Sequence, residues 1–169
     1  MKRGSPISEE KCKAFTIKST NVSYIKPQNI LPVDNSNFNT SMVSKPVIFK
    51  WTSVVPNPNE QVTYQLKVWK IASGQTPTQV INQSQPLVIK DIINVSQTIV
   101  TNLIDPSCLT PSTCQFVWQV QAMGLNGKTY GTNNGKSDFT VFKTGTENNN
   151  TTNTTACGTI STKTFAIGD

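Results

Sequence analysis

The side chains with the most readable chemistry in this sequence are its four cysteines: Cys12, Cys108, Cys114 and Cys157. Cys108 and Cys114 flank the polar loop Leu-Thr-Pro-Ser-Thr, and a disulfide that closes this loop is the favoured interpretation. A zinc site is one alternative, although the spacing is wider than zinc ligands usually have and the chain contains no histidine. Two free thiols are the other alternative, and the pairing of Cys12 and Cys157 stays open. A disulfide would indicate an oxidising compartment outside the cytoplasm.

Enzymatic chemistry has few residues to use in this chain. The absence of histidine excludes Ser-His-Asp and Cys-His nucleophilic sites and every imidazole acid–base step. Only nine Asp and Glu residues are present, and they lack the spacing of a calcium-binding loop. Neither a phosphate-binding glycine loop nor a nucleophile elbow occurs. We therefore predict that the chain is not an enzyme and has no catalytic residues, no metal site and no cofactor.

The charge pattern bounds the kinds of partner. The net charge is +6, but the basic residues form only short pairs near the amino terminus and are otherwise scattered. Nucleic-acid binders concentrate basic residues on one face, so we predict no nucleic-acid partner. No apolar run approaches the ~20 residues that a membrane-spanning helix needs, so we predict no transmembrane segment.

The elements that would position these residues are strands. The clearest runs from Gln115, where Phe116, Trp118, Val120 and Ala122 alternate with glutamines, which is typical of a half-buried antiparallel strand. A connection rich in glycine and asparagine follows, and the run Phe-Thr-Val-Phe at 139–142 closes a hairpin. Further strands are predicted at 22–25, 47–53, 61–72, 79–81, 87–89 and 97–103, with no amphipathic helix between them. The pattern predicts an all-β sandwich.

The composition also divides the chain. Residues 1–20 read as an irregular leader, and residues 21–145 as the sandwich, with its core at 46–144 and an irregular connection at 27–46. Residues 146–158 are rich in asparagine and threonine, which predicts a flexible linker. Residues 159–169 are predicted to be a tail or the first strand of a following domain.

Residues 46–144 resemble a fibronectin type III domain, in the form repeated in large secreted and surface proteins of the Bacteroidetes. The resemblance lies in Phe49-Lys-Trp51, in Tyr64-Gln-Leu66, in the strand that begins at Phe116, and in the glycine-rich hairpin that ends at Phe142. It implies an immunoglobulin-like antiparallel sandwich of about seven strands. The predicted core residues are Trp51, Tyr64, Leu66, Phe116, Trp118 and Val120. Phe116 stands where such domains usually carry a corner tyrosine.

Two functions are compatible with these features. The leading interpretation is a non-catalytic spacer, scaffold or adhesion module of an exported, multidomain bacterial surface protein, whose partners are its other domains, surface proteins or glycans. The alternative is a glycan-binding module that accompanies a secreted carbohydrate-active enzyme. Trp69, on an otherwise polar face, is the candidate ligand contact, unless it packs under a neighbouring segment or domain. Loops at 56–60, 73–78 and 124–135 are the other candidate contacts.

Overall fold

The computed structural model describes residues 22–38, 44–108 and 113–144. Cys12, Cys157, the predicted leader, the predicted linker at 146–158 and the predicted tail at 159–169 lie outside these residues. The described chain forms eight strands and one α-helix. In order they are β1 Asn29–Leu31, β2 Ser36–Phe38, β3 Val47–Trp51, β4 Thr63–Ile71, α1 Pro77–Gln83, β5 Val88–Ile93, β6 Gln97–Val100, β7 Cys114–Met123 and β8 Thr140–Thr144.

The strands form two sheets. One has three strands in the order β1-β3-β6, and the other has five in the order β2-β8-β7-β4-β5. All neighbouring strands are antiparallel except β2 and β8, which run parallel. The predicted all-β sandwich is confirmed at this level, because the described chain is mostly β and its core lies between two sheets.

The core follows from the alternation of residues along β3, β4 and β7. Inward-facing residues of β3, β4 and β7 are buried, and their outward neighbours are more exposed. The six predicted core residues lie in this main cluster: Trp51, Tyr64, Leu66, Phe116, Trp118 and Val120. Aromatic contacts cross between the sheets, since the Phe49 and Trp118 ring centroids lie 5.2 Å apart in edge-on geometry. Burial of each large apolar side chain stabilises the fold by roughly 1.5–3 kcal/mol.

The segment before β3 is more ordered than its sequence suggested. The prediction of an irregular connection at 27–46 was wrong for β1 and β2, which add one strand to each sheet. Their three-residue length and the flanking prolines hide the period-2 signal. The strand expected at 22–25 is reduced to one antiparallel bridge between Ile25 and Val55.

The prediction of a strand at 79–81, with no amphipathic helix between the strands, was also wrong, because these residues lie in α1. Thr76 and Gln79 form a capping box: the Thr76 Oγ1 accepts from the Gln79 backbone at 3.3 Å, and the Gln79 Oε1 accepts from the Thr76 backbone at 2.9 Å. Pro77 at the first helical position has a backbone already suited to the turn. The helix buries Val80 against the outer face of the five-stranded sheet.

Candidate functional site

Strand register decides which candidate loops meet. Thr63 pairs with Ile93 and with Met123, so the loops at 56–60 and 124–135 lie at the same end of the sandwich. Ile71 pairs with Gln115, which places the loop at 73–78 at the opposite end. We call the end that carries the loops at 56–60 and 124–135 the loop end, and it consists of residues 22–28, 52–62 and 124–139. The structure therefore brings two of the three candidate segments together and separates the third.

Tyr130 organises the loop end. Its side chain is completely buried within a segment whose composition resembles an exposed loop. Its hydroxyl donates a short hydrogen bond to Glu60 Oε1, and its ring lies edge-on to Tyr24 with centroids 4.9 Å apart. Gly124 makes this packing feasible, because a Cβ at that position would stand 2.7 Å from the Tyr130 hydroxyl oxygen. One buried ring thus joins three distant stretches of chain.

Lys128 completes this cluster with a positive charge. Its Nζ lies 3.4 Å from Glu60 Oε1 and 5.2 Å from the centre of the Tyr130 ring. The hydrogen bond from Tyr130, followed by Lys128, lowers the pKa of the Glu60 carboxyl below its ordinary value. Burial, followed by the hydrogen bond to Glu60, raises the pKa of the Tyr130 hydroxyl. We call Tyr24, Glu60, Lys128 and Tyr130 the tyrosine cluster.

Two open depressions flank the tyrosine cluster. One is lined by residues 22–24 together with Lys128 and Thr132, and the other by Asn57, Asn59 and their neighbours up to Val62. Their walls offer amide, hydroxyl and ammonium groups. Such groups can hold a polar ligand or a protein loop through hydrogen bonds, and the rigid strands beneath fix their positions.

A buried hydrogen bond also stabilises the chain at the loop end. The Val54 backbone N–H donates to the buried Tyr64 hydroxyl at 3.0 Å. The hydroxyl therefore satisfies a backbone donor in the loop between β3 and β4, which would otherwise be costly to bury. Gly131 lets the loop after β7 approach the Lys26 backbone, because its φ is +94° and a Cβ there would lie 2.5 Å from the Lys26 nitrogen.

The opposite end contains the predicted disulfide, which the structure confirms between Cys108 and Cys114. Asp105 Oδ1 accepts from the Ser107 backbone at 2.7 Å and shapes the turn that precedes Cys108. The Ser107 hydroxyl and backbone hydrogen bonds lower the pKa of the Asp105 carboxyl. Thr144 Oγ1 accepts from the Cys114 backbone at 3.2 Å, which ties the disulfide to the last strand. We call this region the disulfide end.

Trp69 is not an exposed platform, so its assignment as a ligand contact is corrected. Only 4% of the residue is exposed. It packs with Val80 of α1 and Val117 of β7, and its Nε1 donates to the Ser84 carbonyl oxygen at 3.2 Å. The position on a polar strand face suggested exposure, but α1 covers that part of the face. A sugar ring has no access to the flat side of a residue buried in this way.

Neither a cluster of metal ligands nor a membrane-spanning helix occurs in the described part of the chain. Among residues 22–38, 44–108 and 113–144, no three His, Cys, Asp or Glu side chains lie together as a metal site would need. No helix in these ranges has the length and apolar character to cross a bilayer.

The sequence did not point to the tyrosine cluster. Its four residues come from three separate stretches of the chain, and Glu60, Lys128 and Tyr130 lie in segments without periodicity. The one available signal was Tyr130, a large aromatic residue in a stretch of glycine, asparagine and threonine. No family model matches the chain, and no curated protein matches it significantly.

Proposed function

We propose that this chain is a non-catalytic spacer, scaffold or adhesion module of an exported bacterial surface protein. The observation that carries the proposal is the disulfide between Cys108 and Cys114 within a β-sandwich. Disulfides persist in oxidising compartments and are rare in the cytosol. A rigid sandwich with loops gathered at its ends suits a role in spacing or contact.

Within this proposal the domain is of the fibronectin type III kind. The position of Trp51 supports it, because the ring lies between the sheets beside Tyr64, with centroids 5.7 Å apart. The order of the strands also supports it: β3 and β6 lie in one sheet, while β4, β5, β7 and β8 lie in the other. The chain therefore passes repeatedly between the sheets, which interlocks them as in Greek-key sandwiches.

The loop end is the proposed contact surface. The tyrosine cluster ties the loops at 56–60 and 124–135 to the segment at 22–28, so polar groups around it have fixed positions. Preorganised loops lose less conformational entropy when a partner binds, which favours adhesion. Asn59 and Thr132 are exposed and line the two depressions, which makes them the first residues to test.

Adhesion can be tested with beads that carry the purified chain. We expect the beads to be retained under flow on surfaces coated with extracellular glycans or matrix proteins. Asn59→Ala combined with Thr132→Ala should release them, because these polar contacts are exposed and their loss leaves the core intact. The matched control, Ser73→Ala with Thr101→Ala, alters exposed residues at the opposite end and should keep the beads attached.

The non-catalytic part of the proposal has its own test. A screen of the chain against glycosides, peptides and esters should give no turnover above a buffer blank. Turnover that co-purifies with the protein and disappears in Glu60→Gln would contradict the proposal, since that carboxylate would then act on a substrate. The alternative of an enzyme-associated glycan module loses its proposed contact, because Trp69 is buried.

A further inference from the structure

The outer face of the five-stranded sheet is divided into two parts. Helix α1 covers one part, where Trp69 and Val117 are buried beneath it. The other part stays open between α1 and residues 133–139, which form the far wall. Three adjoining depressions meet there, and Gln119 lines all of them. We call this surface the glutamine groove.

The floor of the groove is a regular array of side chains. Gln65 lies opposite Gln121 and Lys67 lies opposite Gln119, in the register of β4 against β7. Neighbouring strands are about 4.8 Å apart and residues on one face repeat about every 6.8 Å along a strand. The floor therefore presents amide and ammonium groups at spacings comparable with the length of one sugar unit in a chain.

Two of these amides are held in place by the protein. The Gln119 Nε2 donates to the Ser137 carbonyl oxygen at 2.8 Å, and the Gln121 Nε2 donates to the Asn134 carbonyl oxygen at 2.9 Å. Each of these hydrogen bonds uses one N–H of the NH2 group and fixes the orientation of the amide, so its oxygen and its second N–H remain for a ligand. Fixed acceptors of this kind suit hydroxyl donors and lose little side-chain entropy on binding.

The wall of the groove is partly apolar. Phe139 is 43% exposed and lines two of the depressions. Ile81 of α1 lines one of these two as well. A half-exposed aromatic ring beside polar groups offers a ligand an apolar surface next to hydrogen-bonding partners. The C–H face of a pyranose ring packs well on such a side chain, while its hydroxyls remain directed to polar groups.

The charge of the groove selects the ligand. Lys67 and Lys136 line it, and within the described residues neither forms an ion pair. Two carboxylates belong to the same surface: Asp91 accepts from Gln65 of the floor at 3.0 Å, and Asp138, which lines one of the depressions, is paired with Lys26 at 2.6 Å. Because Lys26 balances the charge of Asp138, the charges that remain are those of Lys67, Lys136 and Asp91. The groove therefore favours an anion.

We propose that the glutamine groove binds a carboxylated polysaccharide, a polymer of uronic acid residues. Its carboxylates would meet Lys67 and Lys136, its hydroxyls would donate to the Gln119 and Gln121 oxygens, and one ring face would rest on Phe139. This inference rests on the proposed role as a binding module and gives that role a ligand. It uses the sheet face and not the depressions around the tyrosine cluster.

The test is a titration of the purified chain with polygalacturonate at fixed ionic strength. Lys67→Gln combined with Lys136→Gln should weaken binding about tenfold, because both charge-assisted contacts are lost. The control, Lys45→Gln with Lys50→Gln, removes the same charge from exposed lysines elsewhere and should change the affinity less than about twofold. Phe139→Ala should weaken binding without changing the response to salt. Thermal melts verify that each variant is folded.

Three outcomes would overturn the inference: no binding by the wild type, an equal loss in the lysine control, or binding of poly-glutamate as tight as that of polygalacturonate. A second measurement does not depend on variants. In NMR spectra of the wild type, polygalacturonate should shift the side-chain amide signals of Gln119 and Gln121, and unshifted signals would count against the groove. Cleavage of bound polymer would refute the non-catalytic role and leave the groove standing. Bead adhesion without polymer binding would refute the groove alone.

Discussion

The two ends of the sandwich are held by different interactions. At the disulfide end, a covalent bond joins cysteines only six positions apart, and Asp105 and Thr144 accept hydrogen bonds from nearby backbone N–H groups and fix the local turn. At the loop end, Tyr130 and Glu60 join positions 70 residues apart through burial, a hydrogen bond and charge. The first depends on redox conditions, and the second depends on packing, pH and salt.

This difference predicts which end is more sensitive to mutation. A disulfide with a short loop removes little conformational freedom from the unfolded chain. A buried ring that joins distant segments contributes its full transfer free energy and also closes long loops. The non-covalent end should therefore lose more stability when its central residue is removed than the covalent end loses when its bond is broken.

The largest effect is expected for Tyr130→Ala, which should lower the free energy of unfolding by about 3–5 kcal/mol, the range for deletion of a buried aromatic side chain. Its ring is completely buried, and its loss also leaves Glu60 without its hydroxyl donor. Urea denaturation with the disulfide intact gives the measurement.

Phe139→Ala is the matched control for this prediction, because it removes an aromatic ring from the same connection at a residue that is 43% exposed. We expect a loss below about 1 kcal/mol. Equal losses in the two variants would show that the connection as a whole, and not the buried ring, stabilises this end.

A smaller effect is expected from removal of the disulfide. Cys108→Ser with Cys114→Ser should cost about 2 kcal/mol, since the closed loop is short. Thermal melts of oxidised, reduced and doubly substituted protein provide the comparison, and reduction should leave the double variant unchanged. A loss greater than that of Tyr130→Ala would reverse the ranking of the two ends. If both Cys108 and Cys114 could be alkylated in native, oxidised protein, the two cysteines would not be bonded and the disulfide assignment would be wrong.

The smallest effect concerns pH at the loop end. The folded pKa of Glu60 is lowered, so its contribution to stability is present above the ordinary carboxyl pKa of 4.5 and is lost as the pH falls through the folded value. At neutral pH, the melting temperature of the wild type should be higher than that of Glu60→Gln. This difference in melting temperature should become smaller below pH 4.5. In a Tyr130→Phe background the pH dependence should be weaker, because the largest cause of the shift is gone. A difference that does not change with pH would contradict the assignment of this carboxylate.

Strands with long alternation could be predicted from the sequence. In β4 and β7, each second residue enters the core, so Leu66 and Val120 could be placed by period alone. The disulfide could be predicted because its cysteines lie close in sequence. Both signals are local, and local signals survive in a single sequence.

The remainder depended on tertiary contacts or on a weaker local signal. Trp69 was misplaced because the cover supplied by α1 comes from a different element, and α1 was missed although Thr76 and Gln79 carried its capping box. The apolar pair Val80 and Ile81 favoured a strand. Tyr130 was overlooked since its partners, Tyr24 and Glu60, are remote in sequence.

The parallel pairing of β2 with β8 has a mechanical consequence. Suppose that the chain is pulled from both sides. Once β1 has detached, the force acts on the amino end of β2, and the opposite force acts on the carboxyl end of β8. Because β2 and β8 run parallel, these forces shear the two strands against each other and load all of the hydrogen bonds between them at the same time. Asp34 and Asn35 add two bonds to Val141 at 2.8 and 2.7 Å. The pairing of β2 with β8 therefore resists stretching of the chain between these two strands.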